Sequence, residues 1–228
     1  METDEPGLRE RKKQATRAAL RAAALRLALE RGPENVRVDD IAKAAGVSPR
    51  TYNNYFSSRE QAIVAAVTAE RASQLVAAVA GSPADVSLGA TVIDAVVGLY
   101  TDSHDHLRDA LQMITTSPAL RACYVETVTT IEEPLADALA ERWPDMDRLT
   151  ARVLSACVGA AARVALEQWL RSAGVPASMK GFVVPSGSLP QLVRTALTPL
   201  VPALDAAAAR ADSSLLAAPN RSGQAPGR

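Results

Sequence analysis

The sequence predicts an all-α protein, and three observations carry that prediction. Alanine and leucine dominate, only 4% of residues are aromatic, and β-branched residues mostly appear singly inside helical patterns, a composition that favours helices over sheets. Apolar residues recur at i, i+3, i+4 and i+7 spacing over long stretches free of Gly and Pro. Clusters of Gly, Pro and Ser then punctuate those stretches. With 48% hydrophobic residues in 228, the chain has ample material for a packed core. About nine helices are expected, grouped as a three-helix N-terminal unit and a larger C-terminal bundle.

The first helix is predicted over residues 9–31, where Leu20, Ala24, Leu27 and Ala28 share one face and Gly32-Pro33 ends the run. Its polar face carries Arg9, Arg11, Lys12, Lys13, Arg17 and Arg21. A short second helix fits "VDDIAKAAG", with Asp39 and Asp40 favourable at the positive N-terminal end and Gly46 supplying the C-terminal turn. Ser48-Pro49 starts a third helix of about two turns, because serine can accept from an orphan N–H and proline has none to lose at the first position. Ser57-Ser58 caps a long helix over 59–80, ended by Gly81-Ser82-Pro83. Further helices are predicted at 86–102, 104–116, 118–142 with a kink at Pro134, and 146–173. A Gly, Pro and Ser-rich loop follows over 174–190, then a last helix over 189–204 despite Pro199 and Pro202, and a disordered tail from 211 to 228.

The formal charge is zero, yet residues 1–59 carry 12 Lys/Arg against 8 Asp/Glu while the remainder carries 13 against 17. A basic module on a mildly acidic body suits an anion-binding unit attached to a part with another task. Cys123 and Cys157 are too few and too far apart in sequence for a disulfide framework or zinc site. The start, "METDEPGLRERKKQATR", has no apolar leader core, and its first eight residues are acidic and expected to be disordered. The most apolar later stretch is interrupted by Arg163 and Glu167, so a soluble, cytoplasmic protein is expected.

The most informative segment is "VRVDDIAKAAGVSPRTYNNYFSSRE" (36–60). Two short helices around a glycine turn, the second starting polar and carrying amides and hydroxyls, form the plan of a helix-turn-helix reader of double-stranded DNA. Asparagine can bond adenine N6 and N7 together, arginine can reach guanine or a phosphate, threonine can meet a thymine methyl, and tyrosine hydroxyls can bond phosphates.

Residues 9–70 resemble the N-terminal DNA-binding domain of the TetR family of bacterial transcriptional regulators. The likeness is carried by "ALRLALERG" (24–32), "VDDIAKAAGVS" (38–48) and "TYNNYFSSREQAI" (51–63), the last resembling the family pattern T-x-Y-x-x-F-x-S-K-E. This chain departs from the pattern at three places. Arg37 stands where a Thr or Ser cap is usual, Asn53 where many members have tyrosine, and Ala28 where Phe is common. Arg37 cannot accept an N–H, so Asp40 compensates in part and Arg37 is free for a phosphate. The assignment that follows places Thr51, Tyr52, Asn53 and Asn54 toward the major groove, Arg50 and Tyr55 on the backbone, and Phe56 in the core. Ser48 joins the DNA-contacting set, with Lys13, Arg17 and Arg59 as phosphate contacts outside the motif. The domain limits expected are 1–57 for the reader and 58–210 for ligand binding and dimerisation.

The resemblance implies a C-terminal bundle with a small-molecule cavity and a homodimer that binds a palindromic operator. Small apolar residues on the last two long helices, Ala161, Ala165, Leu192, Val193, Ala196, Leu197 and Leu200, are the expected dimer contacts. Tyr100, His104, Met113, Tyr124, Cys157 and Trp169 are the expected cavity residues, being large or polarizable groups in an alanine and leucine bundle. His104 and His106 diverge on a helix, so no metal site is expected there. No phosphate-binding glycine loop, HExxH or GxSxG is present, which argues against an enzyme and against a cofactor. The function expected is a ligand-released repressor with an apolar or amphipathic effector. The alternatives are a ligand-dependent activator or an architectural DNA-binding protein.

Overall fold

A computed structural model describes residues 7–83, 85–101, 105–173 and 188–216. Every regular element among them is helical: α1 (Leu8–Arg31), α2 (Val38–Ala44), α3 (Pro49–Asn53), α4 (Arg59–Ala80), α5 (Leu88–Thr101), α6 (Asp105–Thr116), α7 (Pro118–Thr127), α8 (Glu132–Arg142), α9 (Arg148–Ala173), α10 (Leu189–Leu197) and α11 (Val201–Leu216). Short 3-10 turns, Val128–Ile131 and Thr198–Leu200, join α7 to α8 and α10 to α11. Counted as rods, with those two pairs each taken together, the described residues make the nine helices expected from the sequence.

Both interruptions follow from proline chemistry. Pro134 sits in the first turn of α8 and cannot donate to the turn before it, and Pro199 lies within the second 3-10 turn. The final helix nevertheless runs on to Leu216, past the end expected at 204 and past residue 211 where the tail was expected to start; residues 217–228 lie outside the described residues. Alanines from 206 to 209 are strong helix formers and carry the helix through.

α4 is the central rod. It packs against α1 on one side and against α5, α7 and α8 on others, so the N-terminal unit and the bundle share it. Its inward stripe is Ile63, Val64, Val67, Leu75 and Val79, all without solvent exposure, each burial of this kind contributing about 1.5–3 kcal/mol. α9 packs between α8 and α10, and α5 lies against α10 and α11. α4, α9 and the Leu189–Ala211 rod are long and apolar enough to cross a membrane by length and composition. Their alanine content supplies that character, and in this fold each lays a face on the bundle.

Two glycines are set by their surroundings. Gly46 has φ +71° with open space around it, so its requirement is conformational. Gly89 in the first turn of α5 is a matter of room: a Cβ there would lie 2.8 Å from Val201 Cγ1 and 3.1 Å from the Val201 Cα. That close approach lets the Gly89 N–H donate to Asp205 Oδ1 at 2.7 Å, placing a carboxylate of α11 at the N-terminal end of α5, where the helix dipole favours it.

Candidate functional site

The reader begins with α2. Arg37 offers no acceptor, and its own N–H instead donates to Asp40 Oδ2 at 3.3 Å, which is the partial compensation expected from Asp40. The turn after α2 is closed by Val47 N donating to Ala42 O at 2.9 Å and Gly46 N to Lys43 O at 3.1 Å. This bond pair is the Schellman arrangement, and it needs the left-handed residue that Gly46 provides. Ser48 then caps α3, its Oγ accepting from Thr51 N at 3.1 Å and lying 2.9 Å from Thr51 Oγ1. Ser48 is exposed, but its oxygen is committed to the cap, a use its place among the DNA-contacting residues did not anticipate.

Along α3, Arg50, Asn53 and Asn54 are exposed, while Thr51 and Tyr55 are half-buried. Tyr52 is a correction. Expected at the groove, it is fully buried, its ring 5.8 Å from that of Phe56. Its hydroxyl donates to Ser58 O at 2.7 Å. Burial, with the Glu60 carboxylate adding to it, pushes the phenol up to about 12, so it remains a donor. Arg59 is a second correction: Nη1 donates to Glu34 O and Val36 O, both at 2.9 Å, and Nε to Glu60 Oε1 at 2.8 Å. It clamps the start of α4 to the segment before α2 rather than standing free for a phosphate. Ser58 caps α4 by accepting from Gln61 N at 3.1 Å.

Lys13 and Arg17 are exposed on α1, Lys13 only loosely paired with Glu10 at 3.8 Å. The Arg17 guanidinium lies 5.6 Å from the Phe56 ring centre, so its stem leans toward α3. Burial, and then the charge of Arg17, lower the pKa of Arg21 on the same helix.

In the larger half, Tyr100 and Tyr124 meet around a residue absent from the expected set, Arg71 of α4. Its guanidinium lies 4.5 Å from the Tyr100 ring centre and 5.8 Å from that of Tyr124, and Nη1 donates to Tyr124 Oη at 2.7 Å. Met113, Trp169 and Cys157 lie elsewhere. Met113 lines a separate cavity of about 710 Å³ with Ala28, Leu29 and Gly32, between α1 and α6. Trp169 is half-buried on α9 against the core. Cys157 is exposed, which overturns its assignment to a cavity: it lies on the outward face of α9. His104 lies outside the described residues. Arg71 could have been found in the sequence, since it occupies the apolar stripe of α4, seven residues after Val64 and four before Leu75.

Ala165, Val193 and Leu197 also need correction as dimer contacts. All three are buried within the chain, where α9 packs on α10. Ala161, Leu192, Ala196 and Leu200 are half-buried against the same core. The unpartnered apolar face of α9 is the opposite one, with Leu149 71% exposed and Val153 and Val164 each 52% exposed.

Residues 20–66 match the description "Bacterial regulatory proteins, tetR family", and residues 82–180 match the MftR C-terminal domain. The chain is 30% identical over 179 residues to the HTH-type transcriptional regulator TcmR of Streptomyces glaucescens, covering 72% of this chain and 77% of that protein. This chain belongs to the TetR family. It is accordingly a DNA-binding transcriptional regulator, from a family that is not enzymatic. Among solved structures, the TetR family repressor AlkX from Dietzia sp. strain DQ12-45-1b, implicated in biodegradation of n-alkanes, aligns with a TM-score of 0.54 at 21% identity. That alignment covers 84% of this chain and 96% of AlkX, and at this identity the likeness is one of fold. For a TetR-family reader the firm geometry is the anchoring of α3: Tyr52 and Phe56 inward, Arg50, Asn53 and Asn54 outward.

Proposed function

We propose that this TetR-family chain is a cytoplasmic homodimeric repressor that binds a palindromic operator and releases it when an apolar or amphipathic effector binds. The observation that carries the reading is the division of labour on α3. A five-residue helix too short to be stable alone is pinned by Tyr52 and Phe56, while two amides and a guanidinium project from it. Residues 1–57 are the reader and 58–210 the effector-binding and dimerising part.

In this reading Asn53, Asn54 and Thr51 read base edges, and Arg50, Tyr55, Arg37, Lys13 and Arg17 hold the backbone, where phosphate contacts set register without reading sequence. The outward face of α9, around Leu149, Val153 and Val164, pairs with the same face of a second copy. Two copies of α3 then lie about 34–36 Å apart, one duplex turn. An effector acts only by preferring the state in which that spacing is wrong, since equal binding to both states shifts nothing.

Selection of bound duplexes from a random DNA pool, with the full chain at near-physiological salt, tests the reading. A single palindrome with half-sites one turn apart is the expected product. Enrichment of an unpaired half-site would remove the dimer, and recovery of no sequence by folded protein would remove the operator-binding role.

A further inference from the structure

Arg71 is 3% exposed, and its Nε and Nη2 are buried with no hydrogen-bond partner among the described residues. Among the described residues, the chain therefore keeps a cation out of water with only one of its nitrogens bonded, its other interactions being with the faces of Tyr100 and Tyr124. A buried charge left without an opposite charge is strongly unfavourable. An orphaned donor pair in a native core calls for a group that occupies it in another state.

The identity of the orphans specifies that group. Nη1 is the nitrogen taken by Tyr124. Nε and Nη2 are the two whose N–H bonds run parallel along one edge of the guanidinium, the edge that receives both oxygens of a carboxylate. One guanidinium is neutralised by one carboxylate, whereas a phosphate monoester would bring a second charge into the same aromatic surroundings. We infer that Arg71 is the effector-recognising residue and that the effector carries a carboxylate, held side-on by Nε and Nη2, on an otherwise apolar body. This inference rests on the proposal that the chain is effector-responsive.

Nε and Nη2 are shielded from solvent, so the place is not open to water beforehand. Tyr100 is half-buried and lies at the end of α5. Its ring is the part of the enclosure nearest solvent, and its displacement from Arg71 accompanies binding. The carboxylate replaces a ring face with a full charge, so the exchange favours the bound state.

The test uses the full-length protein with four probes, the sodium salts of benzoic, 2-naphthoic, octanoic and dodecanoic acids, each paired with its primary amide. Two quantities are read, the melting temperature without DNA and the affinity for the selected operator. The expected result is that at least one acid raises the melting temperature by about 3 °C or more and weakens operator binding at least about tenfold, while its amide does neither. Arg71→Met should lose both responses, bind operator as the wild type does, and melt no lower than the wild type without ligand, because it removes an uncompensated charge. Arg71→Lys keeps the cation without the parallel edge and should weaken the acid response at least about tenfold; it decides the matter if Arg71→Met does not fold. Equal action of acid and amide, undiminished action of the acid on either variant, or no action by any of the acids overturns the inference. So does a melting temperature of folded Arg71→Met well below that of the wild type, which would make Arg71 a packing residue. The operator selection described above reports on the regulator itself, so its failure is separable from failure here.

Discussion

Tyr52 and Asn54 are two positions apart and do different work. The Tyr52 hydroxyl is buried against Ser58 O, so Tyr52→Phe should lower stability by about 0.5–1.5 kcal/mol, the net worth of one hydrogen bond, with the selected operator sequence unchanged. Chemical denaturation and a repeat selection check the two halves of that statement. Asn54 is exposed at the end of α3, and Asn54→Ala should weaken specific binding by about 1–3 kcal/mol and relax one base position per half-site. Lys13→Ala, by contrast, should weaken all sequences alike and flatten the salt dependence; a salt series of binding isotherms on operator and scrambled duplexes distinguishes them. Local capping chemistry at this scale was legible in the sequence: Ser48, Ser58 and Gly46 act through neighbours within about four residues. The inward turn of Tyr52 was legible too, though the functional pattern concealed it. Tyr52 and Phe56 are four residues apart, so placing Phe56 in the core places Tyr52 beside it.

Elements obey a coarser logic. Most helix limits were readable because Gly and Pro mark them, whereas the end of the last helix, expected at 204, lies at Leu216; the two proline interruptions fall where the missing N–H requires. The facing of α9 was not readable. Leu154, Val158 and Ala165 point inward while Leu149, Val153 and Val164 point outward, so the helix is apolar nearly all round and periodicity cannot choose a side. The same limit applies to α10, whose Val193 and Leu197 serve the chain's own core. Where α5 meets α11, a prediction is available. Gly89→Ala would drive a Cβ to within 3.1 Å of the Val201 backbone and strain the bond from Gly89 N to Asp205. It should destabilise the chain by about 1–3 kcal/mol, read as a lower denaturation midpoint at unchanged slope.

At the scale of the whole molecule, the outward face of α9 would, in the proposed dimer, decide whether one reader or two meet the DNA. Val153→Asp combined with Val164→Asp places charges on that face without touching the buried stripe. The pair should convert a dimer to a folded monomer in sedimentation, and operator affinity should fall by about 10²–10⁴, the gain lost when two linked sites become one. A dimer that survives both charges would place the interface elsewhere. The charge division first visible in the sequence belongs to this scale as well: the basic face of α1 and the reader lead, and the acidic bulk trails.

The contacts from Tyr52 to Ser58 and from Arg59 to Glu34 and Val36 make the reader and the first turn of α4 a single stiff body. From Ser58 to Arg71 the helix spans about 20 Å, so under the proposed effector response it would act as a crank whose handle is the buried cation and whose far end carries the recognition helix. A tilt of about 10° at Arg71 sweeps that end through about 3.5 Å over this length, close to one base-pair step. In the proposed dimer, two such sweeps, one per half-site, would put the readers out of step with the duplex without unfolding either of them.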